Sequence, residues 1–170
     1  MNIKITLAAM ALFFIGLSAA SAQTVSITDL KKLEGCWWGT LTYLDYTPGK
    51  PYTMPADLEI RQLGESNQLY VSNTYPNEPK ANSADTIILS PDGRMLNDET
   101  IKLIRKPVQG TLLIVTQKEG VDGKDNRPAI FRYTYDIGSS FYNLKKEVQF
   151  TGTKEWIKRH EYNYKRKDCN

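Results

Sequence analysis

An all-β, antiparallel barrel is the fold this chain predicts, on three observations. Beyond Gly35 no useful window carries apolar residues at helical spacing, whereas several runs alternate with period two. Met54, Ala56, Leu58 and Ile60 are set against Asp57, Glu59 and Arg61, and Phe131, Tyr133 and Tyr135 against Arg132 and Thr134. Turn-formers separate the runs, as in Thr47-Pro48-Gly49-Lys50, Ser90-Pro91-Asp92-Gly93 and Thr151-Gly152-Thr153. The count is nine or ten strands with no crossover helix between them, which favours an up-and-down barrel of 8–10 strands over a Greek-key sandwich. Regular spacing alone leaves the sandwich open.

From the start of the chain, residues 1–22 read as a secretory signal peptide. Lys4 precedes an apolar run from Ile5 to Leu17, and Ala20-Ser21-Ala22 supplies the small residues of a cleavage site. That run is shorter than the roughly 20 residues needed to span a bilayer, so no integral membrane segment is expected. Cleavage before Gln23 leaves 23–170 as a single domain, secreted or periplasmic, long enough to bury a substantial core. Its formal charge falls from +3 to about +2 with the loss of Lys4, far from the basic excess of a nucleic-acid binder. Two cysteines, Cys36 and Cys169, stand at opposite ends of the mature chain in an oxidising compartment, which predicts one disulfide.

Between Gln23 and Glu34, Leu30 and Leu33 fit one or two helical turns, with Thr28 or Asp29 as the cap. The first strand follows, from Gly35 through Trp37 and Tyr43 toward Tyr46. Gly35 permits a sharp entry from the floor, and Trp37 is large enough to plug it. The Tyr75–Ser83 segment, with Pro76 and Pro79, is the longest irregular loop, of the kind that guards a barrel mouth. Asp122-Gly123-Lys124-Asp125-Asn126 has the composition of a calcium loop without its spacing or terminal Glu, and reads as a turn.

If the cysteines oppose each other on antiparallel first and last strands, opposed residue numbers sum to 205. Trp37, Gly39, Leu41 and Tyr43 then share a face with Tyr162, Tyr164 and Arg166, and Arg166 reaches Trp37 diagonally for cation–π stacking. Trp38 falls on the other face, covered by the Leu30/Leu33 turn or left to a partner. The even face of the last strand, from Trp156 through Lys158, His160, Tyr162 and Tyr164 to Arg166, points inward. Lys158 then lies about 26 Å along the strand from Arg166, at the open end.

A Gly-x-Trp at the start of the first strand, behind a short helix and facing a late Arg, resembles the lipocalins and the wider calycin group. The matching positions are Gly35, Trp37 and Arg166. The longer pattern Gly35-x-Trp37-x-Gly39, with a late His and Tyr, is also similar to nitrobindin-type haem barrels, whose ten strands fit the count. The resemblance implies a calycin-like barrel over 23–170 whose interior holds a small ligand.

Catalytic constellations are not found in the sequence. One histidine, no paired metal ligands, no nucleophile elbow and two tied cysteines leave little for an enzyme, so none is expected. The expected ligand is small, hydrophobic or amphipathic, and possibly acidic, bound by Lys158, His160, Tyr162, Tyr43, Tyr133 and Tyr135. An inward cation among tyrosines at the mouth would meet an acidic head. Two alternatives stand beside it. One is a filled barrel serving as an interaction or structural module. The other is haem bound through His160, the sole imidazole; otherwise no cofactor or metal is expected.

Overall fold

The computed structural model describes residues 24–45, 50–106 and 110–169. The signal peptide, its cleavage point and the Thr47–Gly49 turn lie outside the described residues. A four-residue helix, α1 (Ile27–Leu30), runs into a 3-10 turn at Lys31–Leu33. Ser26, not Thr28 or Asp29, is its cap. The Asp29 backbone donates to Ser26 Oγ while the Asp29 carboxylate accepts from the Ser26 backbone, a reciprocal box that the Ser-x-x-Asp spacing permits.

Ten strands follow: β1 (Gly35–Asp45), β2 (Lys50–Gln62), β3 (Gln68–Thr74), β4 (Ser83–Ile88), β5 (Met95–Leu96), β6 (Glu99–Arg105), β7 (Leu112–Asp122), β8 (Arg127–Ile137), β9 (Phe141–Phe150) and β10 (Ile157–Lys167). They form one antiparallel sheet in the order β4-β3-β2-β1-β10-β9-β8-β7-β6-β5. The ends of the chain thus meet in the middle of the ladder, and the sheet curls until β4 and β5 touch. It is a nearly closed barrel. Met54, Ala56, Leu58 and Ile60 are buried as their alternation requires.

The closing register differs from the expected one by two residues. Trp37 lies opposite Arg166, Gly39 opposite Tyr164 and Tyr43 opposite His160. Cys36 faces Lys167, and its disulfide partner Cys169 lies beyond the strand end, with the two Cα atoms 5.3 Å apart. The bridge therefore reaches diagonally off the last rung, and the ladder stops two residues before Cys169. A shift of two preserves side-chain parity, so the assigned faces survive. The disulfide closes a loop spanning 133 residues, which in the chain-entropy model stabilises the fold by on the order of 4–5 kcal/mol.

The floor is built where the register places it. Trp37 is fully buried and its indole donates to the Leu33 carbonyl at 2.8 Å. The Arg166 guanidinium lies 4.1 Å from the Trp37 ring centroid and donates to the carbonyls of Lys32, Glu34 and Ser139. Gly35, at φ +119°, admits that guanidinium; a Cβ there would sit 2.7 Å from Arg166 Nη1. Leu30 and Leu33 join the core cluster of Trp37, whereas Trp38 points outward and is 53% exposed, so the helical turn does not cover it.

Two irregularities shape the upper barrel. β10 carries a bulge between Lys158 and His160 against β9, so that the side-chain alternation changes phase there. The β5–β6 hairpin is short. β6 pairs with β7 only as far as Thr100 opposite Gln117, while β7 continues to Asp122 against β8. β4 meets β5 through the single bridge Leu89 to Leu96, with Asn97 bonded to Ile88 on both sides. Above that point no strand among the described residues joins β4 to β7, and the wall has a notch.

Candidate functional site

The barrel encloses a cavity of about 720 Å³. One wall is aliphatic, with Leu58, Ile60 and Val71 from β2 and β3 and Ile87 from β4. The opposite wall is a column of rings rising from the floor. Tyr142 meets Trp37 edge-on at 6.2 Å and stacks on Tyr164 at 5.8 Å; Tyr164 stacks on Tyr162 at 5.6 Å, and His160 meets Tyr162 edge-on at 5.5 Å. Such offset and edge contacts suit the ring quadrupoles. Even-numbered residues of β10 reach this wall because the chain below the bulge keeps strict alternation.

The Tyr75 hydroxyl shares a 2.9 Å hydrogen bond with that of Tyr162, so the buried start of the Tyr75–Ser83 segment joins the column at its upper end. Asn82 holds that loop by accepting from the Tyr75 backbone at 2.7 Å. The cavity reaches solvent at the notch, where its lining includes the exposed residues Asp85, Asn97 and Asp98. Lys118 Nζ bridges to Asp98 at 3.0 Å across the same opening.

Just inside the notch Glu99 is only 4% exposed. Its carboxylate accepts a short hydrogen bond from the Thr116 hydroxyl and a longer one, 3.4 Å, from Tyr135. Burial raises its pKa, and the hydrogen bond from Thr116 and the charge of Lys118 oppose the rise without cancelling it. Burial, reinforced by the Glu99 charge, pushes the neighbouring Tyr133 phenol up to about 12 and raises Tyr135 well above the ordinary phenol value. His160 moves the other way, down to about 4, through burial first and the charge of Lys146 second, so its imidazole is neutral at pH 7. No hydrogen bond among the described residues holds its ring nitrogens.

Of the ligand residues read from the sequence, His160, Tyr162, Tyr133 and Tyr135 line the cavity together. Tyr43 does not; it packs edge-on against Tyr52, with ring centroids 5.6 Å apart. Lys158 is outside. The bulge turns it away from the interior, where it is exposed and pairs with Glu161 at 2.8 Å. Trp156 is also outside, beneath the Arg132 guanidinium at 3.8 Å, and Ile157 takes the inward place opposite the buried Val148. The inward cations of the upper barrel are others. Lys146 lies over the rings of Phe131 and Tyr133, and Arg159 pairs with Asp122.

Glu99 and Tyr142 are among the lining residues that the sequence reading passed over, as are Asp85, Asp98 and Lys118. The first two were legible in principle. Glu99 is in phase with Ile101 on β6, and Tyr142 with Leu144 and Val148 on β9, so each stands on an inward face.

No family model matches the chain, and no curated protein matches it. Solved structures similar to the chain include the following two. The crystal structure of Rv2717c from M. tuberculosis is similar with a TM-score of 0.53 at 9% identity, over 83% of this chain and 96% of that one. A DUF3598-family protein of unknown function from Nostoc punctiforme is similar with a TM-score of 0.41 at 13% identity, over 86% of this chain and 51% of its own. Among the described residues no helix is long and apolar enough to cross a membrane, and the Cys36–Cys169 disulfide fits an oxidising compartment. At 9% identity the likeness to Rv2717c is one of fold alone.

Proposed function

We propose that the mature chain is a calycin-like, non-enzymatic binding protein, exported from the cytosol, that carries a small and mainly apolar ligand inside its barrel. The cavity supports this reading: about 720 Å³, with one aliphatic wall and one wall of tyrosine rings. That volume and lining match the sites of drug-sized ligands, which combine apolar walls with a few placed polar groups. The acidic head group expected from Lys158 loses its support, because that lysine pairs with Glu161 on the outer surface.

The test uses N-phenyl-1-naphthylamine, an uncharged probe that fluoresces when it leaves water. Saturable enhancement at one probe per chain is expected, together with its loss in Leu144→Trp, which places a large ring in the cavity wall. Native mass spectrometry of the purified protein would identify what co-purifies. No saturable signal in the wild type, or an unchanged signal in the variant, refutes the reading.

His160 favours a second reading. It is a neutral imidazole on the cavity wall, and a neutral ring nitrogen is what an axial histidine offers haem iron. Haem would supply redox or gas-binding chemistry; His160 would hold it and the tyrosine column would flank it. The carboxylates of Asp85, Asp98 and Glu99 in the same lining oppose haem's propionates, which ranks this second. A saturable Soret shift in wild type that His160→Ala abolishes would establish it, and no shift in wild type would exclude it.

A further inference from the structure

Three carboxylates, those of Asp85, Asp98 and Glu99, line the cavity against one ammonium, that of Lys118, with His160 neutral beside them. Lys118 is already paired with Asp98 at 3.0 Å. Glu99 is thus a buried carboxylate that meets only hydroxyl donors, Thr116 and Tyr135, and no cation at bonding distance among the described residues. A buried anion with no cation at bonding distance is costly to keep charged, so a cation brought to it by a ligand regains part of what burial took away.

We infer that the ligand of this cavity is a hydrophobic amine, whose protonated nitrogen docks on Glu99 just inside the notch while its apolar body lies against the tyrosine column. This rests on the proposed ligand-binding function and names the chemical class of ligand. The wall around Glu99 suits an ammonium. Lys146 holds its own ammonium 4.6 Å from the Phe131 centroid and 5.5 Å from that of Tyr133, where burial disfavours its charge and the charge of Glu99 favours it. Lys146 lies outside the cavity lining and Arg159 pairs with Asp122, so neither occupies the place beside Glu99. Entry is direct, because Glu99 follows Asp98 at the lip of the notch, and Asp85 and Asp98 lend it a negative rim.

The test compares three probes of one skeleton by calorimetry at pH 7: 2-(1-naphthyl)ethylamine, 2-(1-naphthyl)ethanol and 3-(1-naphthyl)propionate. The amine is expected to bind at least tenfold more tightly than the alcohol, and the carboxylate more weakly than either. Glu99→Gln keeps the shape and acceptor oxygen of the side chain; it is expected to weaken the amine at least tenfold and leave the alcohol within twofold. If the alcohol binds but the amine is no tighter, or if both lose equally in Glu99→Gln, the amine inference fails and Glu99 serves only Thr116 and Tyr135. If none of the three binds, the cavity reading itself fails. The wild-type ranking needs no variant, so misfolding of Glu99→Gln would leave the inference open to refutation.

Discussion

Replacing Arg166 by methionine tests the floor of the barrel. The variant keeps the aliphatic stem and removes the guanidinium, which donates at 2.6 Å to the carbonyls of Lys32 and Glu34 and at 2.7 Å to that of Ser139. These carbonyls belong to the 3-10 turn, the entry to β1 and the β8–β9 connection, so one side chain ties three segments together. Each charge-assisted bond is worth about 1.5–3 kcal/mol when protected, but this edge is wet and water can replace the donor, so about 1 kcal/mol apiece is the appropriate figure. Loss of the stacking on Trp37, 4.1 Å away, adds about 0.5–1 kcal/mol. The expected loss is therefore about 3–4 kcal/mol, read as a lower guanidinium midpoint with an unchanged slope while the disulfide is oxidised. Arg166→Lys should recover less than half, since an ammonium cannot reach three carbonyls and stack at once. A loss under about 1 kcal/mol for methionine would show that the guanidinium is merely solvated and that Trp37 closes the floor alone.

Two further perturbations probe the closing ladder and the wall. In Gly39→Ala the new Cβ would lie 2.0 Å from the Asn163 carbonyl oxygen, so β1 and β10 must part; a loss of about 3 kcal/mol is expected, a fall in Tm of roughly 6–12 °C, and an unshifted Tm would refute the close approach. His160, held at about 4 when folded against an ordinary 6.5, binds its proton more readily in the unfolded chain, so its contribution is complete above pH 6.5 and is lost as pH falls toward 4, in total about 3 kcal/mol. Glu99 acts with the opposite sign, its raised pKa making the folded chain bind more protons, so the measurement is the difference in stability between wild type and His160→Asn from pH 7 to pH 4. An imidazole that titrates near 6.5 by NMR in the folded protein would refute the burial argument.

The fold was legible because period-two alternation survives along most of the wall. Met54 to Ile60 on β2 and Phe131 to Tyr135 on β8 have side chains whose chemistry agrees with their face, and Gly35-x-Trp37 marks where the wall begins. Pairing Cys36 with Cys169 was also legible, but the rung was not. A disulfide accepts a range of Cα separations and can reach diagonally, and here it does so from beyond the last rung, whereas Arg166 stands directly opposite Trp37. Counting from the cysteines puts every rung two residues off and keeps the faces of the paired residues Cys36–Tyr43 and His160–Lys167 correct.

The site was legible only as far as alternation held. His160 and Tyr162 lie below the β10 bulge and point where their parity says; Lys158 lies above it, and the phase change moves it from the mouth of the cup to a surface ion pair with Glu161. Nothing in Lys158-Arg159-His160 announces a bulge, because the extra residue is set by how β10 must twist against β9. Glu99 fails in the opposite sense. Asn97-Asp98-Glu99 reads as an interruption of a strand running from Arg94 to Arg105, which hides that the chain has re-entered the sheet in phase with Ile101 by Glu99. Asn97 takes the left-handed conformation, φ 56°, that lets a two-residue strand reverse so abruptly. The tight reversal has two consequences. It ends the wall early, which opens the notch, and it sets a carboxylate on the inner lip of that opening, where a solvated turn residue was the natural reading.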